Sequence, residues 1–324
     1  MRGGLSKTLA VIGAAGLLAV SACGNSNDNG GSGDSSASKD VTVFTWWADG
    51  GEKAGLDGMV SVFKTDCKDF NFVNSAVAGG AGSNAKQVLA NDLQAGKPPS
   101  TFQAHAGAEL KDYINAGQVD DVSQLYKDYG LDKAFPQNLL DNLTVDGKIY
   151  SIPANIHRAN VVWANPTVLQ KASIDGATAP ATVDAWIADM NKLKAAGVKA
   201  PLAISKGFAQ EMLVEAVLLA ELGPDKFNGL WDGKTDWAGG DVTAALNKYK
   251  TLLTFTNADR EAIDWPDALQ YVNKGQAAYT LMGDWVAAQQ LADKVPDTAY
   301  TYWPAPGTAG CRRGRRPRRR RHSR

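Results

Sequence analysis

Between Val41 and Gln94 the chain twice runs from a β-rich stretch through a glycine turn into an apolar pattern of helical period, and that alternation restricts the fold more than any other feature. Val41-Thr42-Val43-Phe44-Thr45 ends in Trp46-Trp47 and a turn at Asp49-Gly50-Gly51, after which Leu56, Met59, Val60 and Phe63 recur at spacings of three and four. Such spacing places them on one face of a helix. A second strand over 70–77 closes in Ala78-Gly79-Gly80-Ala81-Gly82 and leads into a helix over 84–94, with Val88, Leu89 and Leu93 on one side. A third strand falls at Thr101-Phe102-Gln103. Strand, turn and helix in repeated order predict an α/β domain with a mainly parallel sheet. Sheets of that kind bind ligands beyond the carboxyl ends of their strands.

The segment 147–164 carries two β-rich runs around Pro153 and Asn155 and separates this αβ lobe from a helix-rich part, with helices predicted over 183–193, 208–222 and 242–253. In the last of these, Val242, Ala245, Leu246, Tyr249, Leu252 and Leu253 form an apolar stripe. A final strand over 277–282, the turn Gly283-Asp284-Trp285 and a helix over 286–291 resemble the elements of the first lobe, so the chain is expected to return there. The 324 residues are enough for one or two cores.

The N-terminus carries Arg2 and Lys7, an apolar run over 9–20, then Val20-Ser21-Ala22-Cys23. That is the order of a cleaved export signal, and the run falls short of the ~20 apolar residues a spanning helix needs. A cysteine after Val-Ser-Ala resembles the bacterial lipobox, which implies a leader over 1–22 and lipidation of Cys23; an ordinary secretory signal with an incidental cysteine is the alternative. Residues 23–39, rich in Gly, Ser, Asn and Asp, have nothing apolar to repay ordering and predict a disordered tether.

At the other end, residues 312–324 hold nine of the twelve arginines in the chain. The abrupt switch from lysine to arginine is expected of translation in a shifted reading frame of a GC-rich gene, so that 311–324 would be foreign to the fold; a genuine cationic tail is the alternative. Outside the tail, 34 acidic residues face 25 basic ones, a net charge of about −9. An acidic body argues against binding to a nucleic-acid backbone. Cys23, Cys67 and Cys311 form neither a disulfide framework nor a metal-spaced set. Cys67 reads as a small, partly buried residue.

Nine tryptophans exceed the needs of one core, and Trp46, Trp47, Trp265 and Trp285 fall at predicted strand ends or turns. An indole against the C–H face of a pyranose, with polar groups collecting the hydroxyls, is the physical logic of sugar recognition. Gln103, His105 and Asp284 accompany these rings. His105 is assigned a hydrogen bond to a hydroxyl and His157 a structural place near the crossover. The glycines at 79, 80 and 82 lack the P-loop lysine and the spacing of a dinucleotide fingerprint. They suit close approach of backbone to a neutral ligand. No nucleophile elbow or metalloprotease helix is present, and no catalytic residue, metal or cofactor is assigned; a two-carboxylate glycoside hydrolase stays open as the alternative.

The segments FTWWADGGE, AGGAGSNAKQVL, PPSTFQAHAGAEL, AFPQNLLD, YSIPANIHRANVVW, LGPDKFNGLWDGK and GQAAYTLMGDWVA resemble the family-1 extracellular solute-binding proteins, and among them the glucose/galactose binders. The resemblance runs from about Val41 to Thr308. It implies a periplasmic-binding-protein-like type II fold of two α/β lobes joined by a hinge: lobe 1 over 40–150, lobe 2 over 151–274 and a return to lobe 1 over 275–310. It further implies a monomer, anchored outside the cytoplasm by its lipid, that binds a monosaccharide without catalysis and delivers it to the permease of an ABC transporter. Ligand roles carry over to Trp46, Trp47, Glu52, Gly79, Gly80, Gln103, His105, Trp265, Asp284 and Trp285. The turn before Glu52 is one residue longer than the family pattern. Family members continue about a hundred residues beyond Thr308, so a C-terminal part is expected to be missing, with an inert truncated product as a further possibility. The apolar faces of 242–253 and 277–291 are then expected to lack partners.

Overall fold

The computed structural model of the chain describes residues 38–79, 82–105 and 107–307. The leader, Cys23, nearly all of the tether and the arginine-rich tail lie outside the described residues, as do Gly80 and Ala81.

The first αβ units form as their pattern dictates. Strand β1 (Asp40–Phe44) leads into α1 (Gly50–Asp66), β2 (Asn71–Asn74) into α2 (Ser83–Gln94), and β3 (Thr101–Phe102) follows. The three strands make a parallel sheet in the order β2-β1-β3. The second strand is four residues long, not the eight expected: the ladder on β1 runs over Asn71–Asn74, and beyond it only single bonds continue, from the Ser75 N–H to the Val43 carbonyl and from the Val77 N–H to the Thr45 carbonyl. A small core of Phe44, Trp46, Ala85 and Leu89 lies beneath it, with Trp47, Val77, Phe102 and Tyr113 packed alongside. Cys67 caps the end of α1, half-buried and free.

Short helices follow, α3 (Lys111–Asn115), α4 (Ser123–Asp128), α5 (Leu131–Ala134) and α6 (Gln137–Leu143), then a two-stranded hairpin of β4 (Thr144–Val145) and β5 (Lys148–Ile149). The second sheet opens with β6 (Val161–Ala164), buried along all four residues. An uninterrupted apolar strand of this kind is one covered on both faces. Helices α7 (Pro166–Gln170) and α8 (Val183–Ala195) precede β7 (Leu202–Ala203); α9 (Phe208–Trp231) and α10 (Gly240–Leu253) follow it, then α11 (Trp265–Asn273), β8 (Tyr279–Leu281), α12 (Val286–Ala292) and β9 (Thr301–Pro304). Capping sets several starts: Asn165 accepts from the Val168 N–H at α7, and Thr182 from the Ala185 N–H at α8. Helix α9 runs past the expected end at Leu222, because Gly223 turns the chain (φ 74°, ψ 169°) and Pro224 starts a second helical segment.

The sheet order is β7-β8-β6-β9, with β6 antiparallel to both neighbours. Here the structure departs from the expected return. Strand β8 does not join the first sheet; it lies between β6 and β7, pairing Trp163 with Thr280 and Ala203 with Thr280. Only its following helix turns back, α12 packing against α1. The expected orphan face of α10 is also absent: Val242, Ala245 and Leu252 are buried in the large second core, α10 lying against α9. On α12, Val286 is buried in that core and Leu291 is exposed.

Candidate functional site

Two groups of the expected side chains gather at strand ends. The first forms beyond β1 and β3. The Gln103 Oε1 accepts from the Thr45 hydroxyl and, at 3.3 Å, from the Trp46 N–H, while the Thr45 Oγ1 accepts from the Trp47 N–H at 3.1 Å. These bonds hold the two tryptophans at the end of β1. The buried Trp46 indole meets the His105 imidazole at 5.1 Å between centroids, tilted by 34°. Gly82 comes so close that a Cβ there would stand 2.9 Å from the indole; its φ of +96° is one that glycine adopts freely. Gly79 also has positive φ, and the carbonyl of its neighbour Ala78 accepts from Asn84 at 3.2 Å. Gly80 lies outside the described residues. Trp47 reaches along α1 to Gly55.

The second group forms after β8. Asp284 accepts from the Arg158 N–H at 3.1 Å and bonds the His157 Nδ1 at 2.7 Å, and its own N–H donates to the Arg158 carbonyl at 3.0 Å. Trp285 stands edge-on to His157, 5.1 Å between centroids. Beside them lies an open cleft of about 470 Å³ lined by Ile156, His157, Arg158, Ala159, Asn160 and Asp284. His157, taken from sequence as structural, therefore stands with the candidate ligand residues. Trp265 does not join either group through a contact: it is buried in the second core at the first turn of α11.

Packing links the elements that carry the groups. Glu52 sits in the first turn of α1, and the neighbouring Gly51 N–H donates to the Gln289 Oε1 of α12 at 3.1 Å. Burial, with the Asp49 carboxylate beside it, pushes Glu52 up to about 7. The carboxyl is therefore protonated over part of the neutral range and can donate as well as accept.

Glu109 was not foreseen. It bonds the His105 Nδ1 at 2.8 Å and the Lys86 Nζ at 2.7 Å, and its other oxygen accepts from the His105 N–H at 3.3 Å. Burial pushes its carboxyl up, but the hydrogen bonds from His105 and Lys86 outweigh that and hold it at about 2. The four-residue spacing from His105 to Glu109 was the readable signal.

This arrangement of indoles, amide, imidazoles and carboxylates suits a neutral, hydroxyl-rich ligand. Residues 46–310 match the family model described as bacterial extracellular solute-binding protein. An uncharacterized ABC transporter extracellular-binding protein of Pyrococcus horikoshii is 32% identical, with 76% of this chain and 56% of the relative covered. A probable sugar-binding periplasmic protein of Mesorhizobium japonicum is 33% identical, with 84% and 64% covered. Among solved structures, a chitin oligosaccharide binding protein superposes with a TM-score of 0.71 at 25% identity, over 84% of this chain and 68% of the other. The chain thus spans 56% and 64% of the length of these two relatives. Its architecture is that of the type II periplasmic binding proteins, and the chain belongs to the bacterial extracellular solute-binding protein family.

Proposed function

We propose that this chain binds a sugar outside the cytoplasm and presents it to the membrane permease of an ABC transporter, with a monosaccharide of the glucose or galactose type as the ligand. The observation that carries the reading is the Trp46 indole against the His105 imidazole at the carboxyl ends of β1 and β3, with Gln103 beside it. A cluster of aromatic rings bordered by hydrogen-bonding groups is the kind of lining that suits a pyranose. Asp284 and Trp285 supply the opposing contacts, from the lobe built on the second sheet. In this reading Cys23 carries the lipid anchor and residues 23–39 are the tether. The protein acts as a monomer.

The test is titration of the chain, without residues 1–22, by glucose, galactose and chitin oligosaccharides, followed by tryptophan fluorescence and calorimetry. Saturable binding of a monosaccharide is expected. Binding of the oligosaccharides alone would replace the ligand class, and failure of every sugar to bind would overturn the reading. Labelling of the full chain by fatty acid, lost in Cys23→Ser, tests the anchor.

A further inference from the structure

Three elements meet at one carboxylate. Glu109, in the turn Ala108–Leu110, is shared by Lys86 on α2 and by His105 after β3, which it holds at both the backbone N–H and the ring Nδ1. It is mostly shielded from solvent, its side chain retaining 21% of its exposure, so these contacts are not those of a freely solvated ion pair. The imidazole that it holds is the one lying on Trp46.

We propose that Glu109, with Lys86 behind it, is a positioning residue that holds the His105 imidazole, whenever the ring is neutral, in its Nδ1–H tautomer and so presents Nε2 as a hydrogen-bond acceptor to a ligand hydroxyl. An ionised carboxylate can only accept, and neutral imidazole carries one N–H. With the hydrogen bonds to Lys86 and His105 holding the carboxyl far down, Glu109 is ionised throughout the range in which a sugar would be bound. The ring nitrogen facing it at 2.8 Å must then carry the hydrogen, and the other nitrogen is left with its lone pair. Lys86 supplies three donors and no acceptor, so it orients the carboxylate without competing for the histidine proton. The ring plane is set at the same time, through the backbone bond to Glu109 and the contact with Trp46. A ligand at Nε2 must therefore donate: a hydroxyl fits, and a fluorine or an ether oxygen does not.

That this nitrogen faces a ligand rests on the sugar-binding reading above; the tautomer does not. The decisive measurement is ¹⁵N NMR of histidine-labelled chain at about pH 8, above the ordinary histidine range, with the His105 signals assigned from a His105→Gln spectrum. Two-bond couplings distinguish which ring nitrogen is protonated. The expected result is an Nδ1–H form for His105, with Glu109→Gln raising the Nε2–H population and Lys86→Met changing it less. An Nε2–H form in the unaltered chain overturns the proposal whether or not the variants fold, and so does an unchanged tautomer in a folded Glu109→Gln. For the chain that binds sugar, Glu109→Gln should weaken affinity about three- to tenfold, the scale of one net hydrogen bond, while Glu109→Asp, keeping the charge, recovers part of the loss. Equal affinity of Glu109→Gln and the parent would remove the ligand-facing role. If no sugar binds at all but the tautomer is as stated, the positioning stands and the sugar-binding reading falls.

Discussion

Gly51 of α1 lies so close to α12 that a Cβ built on it would stand 2.5 Å from the Ala288 carbonyl carbon. No real Cβ tolerates that approach to backbone, so the glycine is what allows the two helices to meet, and the Gly51 N–H bond to Gln289 locks the contact. Gly51→Ala is expected to force the helices apart and to cost about 1–3 kcal/mol, the range of an overpacked core. Urea unfolding of the variant and the parent checks this; equal midpoints would show that the helices move apart at no cost.

Glu52, one residue on, makes stability depend on pH. Its folded pKa, about 7, lies above the ordinary carboxylate value of 4.5, chiefly because burial disfavours the anion and secondarily because Asp49 repels it. The folded state therefore holds its proton more tightly than the unfolded chain. The contribution is present in full below about 4.5 and is lost as pH rises through about 7, amounting to at most about 3 kcal/mol. Glu52→Gln, which keeps the shape and cannot ionise, should flatten the stability profile between those limits. A parent whose stability rises over the same interval while the variant's stays flat would contradict the sign.

Gly283 gives a test that separates site from scaffold. The Trp285 ring lies across the Gly283 Cα, where a Cβ would collide with the six-membered ring. The obstacle is the far end of a side chain, which can swing, so Gly283→Ala should move the indole off His157 with less than about 1 kcal/mol of lost stability. Tryptophan emission should shift, and sugar affinity should fall by about tenfold or less, the value of one aromatic contact. A large drop in stability with unchanged affinity would make Trp285 a packing residue.

The first lobe was legible because each of its signals is local. Val41–Thr45, the glycines at 50 and 51, and the three- and four-residue spacing after Leu56 specify strand, turn and helix without reference to distant chain. The place of β8 was not legible for the opposite reason. Tyr279–Leu281, followed by a turn and a helix, reads like any other αβ unit; what puts it in the second sheet is pairing with Val162–Ala164, more than a hundred residues earlier. His157 met Asp284 in the same way, through contact across 127 positions. Of the tryptophans, Trp46 and Trp265 show the limit of position alone. Both stand where a strand or turn meets a helix, yet one borders His105 and the other is enclosed in the second core.

Asp284 and Trp285 lead directly into helix α12, which is held on a second side by α11 through a reciprocal amide pair. The Asn273 Nδ2 donates to the Gln290 Oε1 at 2.9 Å, and the Gln290 Nε2 donates to the Asn273 Oδ1 at 2.8 Å, with Gln290 fully buried. A net hydrogen bond contributes only about 0.5–1.5 kcal/mol, but a buried amide deprived of its partner costs about 1–3 kcal/mol. Removing one member should therefore hurt more than removing both. Gln290→Met and Asn273→Leu are each expected to cost about 2 kcal/mol, and the double variant to cost well below the sum of the two, because it leaves no unsatisfied amide behind. If α12 holds Asp284 and Trp285 in register for the ligand, sugar affinity should follow the same order: lowered in each single variant and largely restored in the double. Additive losses in unfolding free energy would show that the two amides act independently. A restored fold with affinity still lost would assign the pair a role in the site beyond holding the helix.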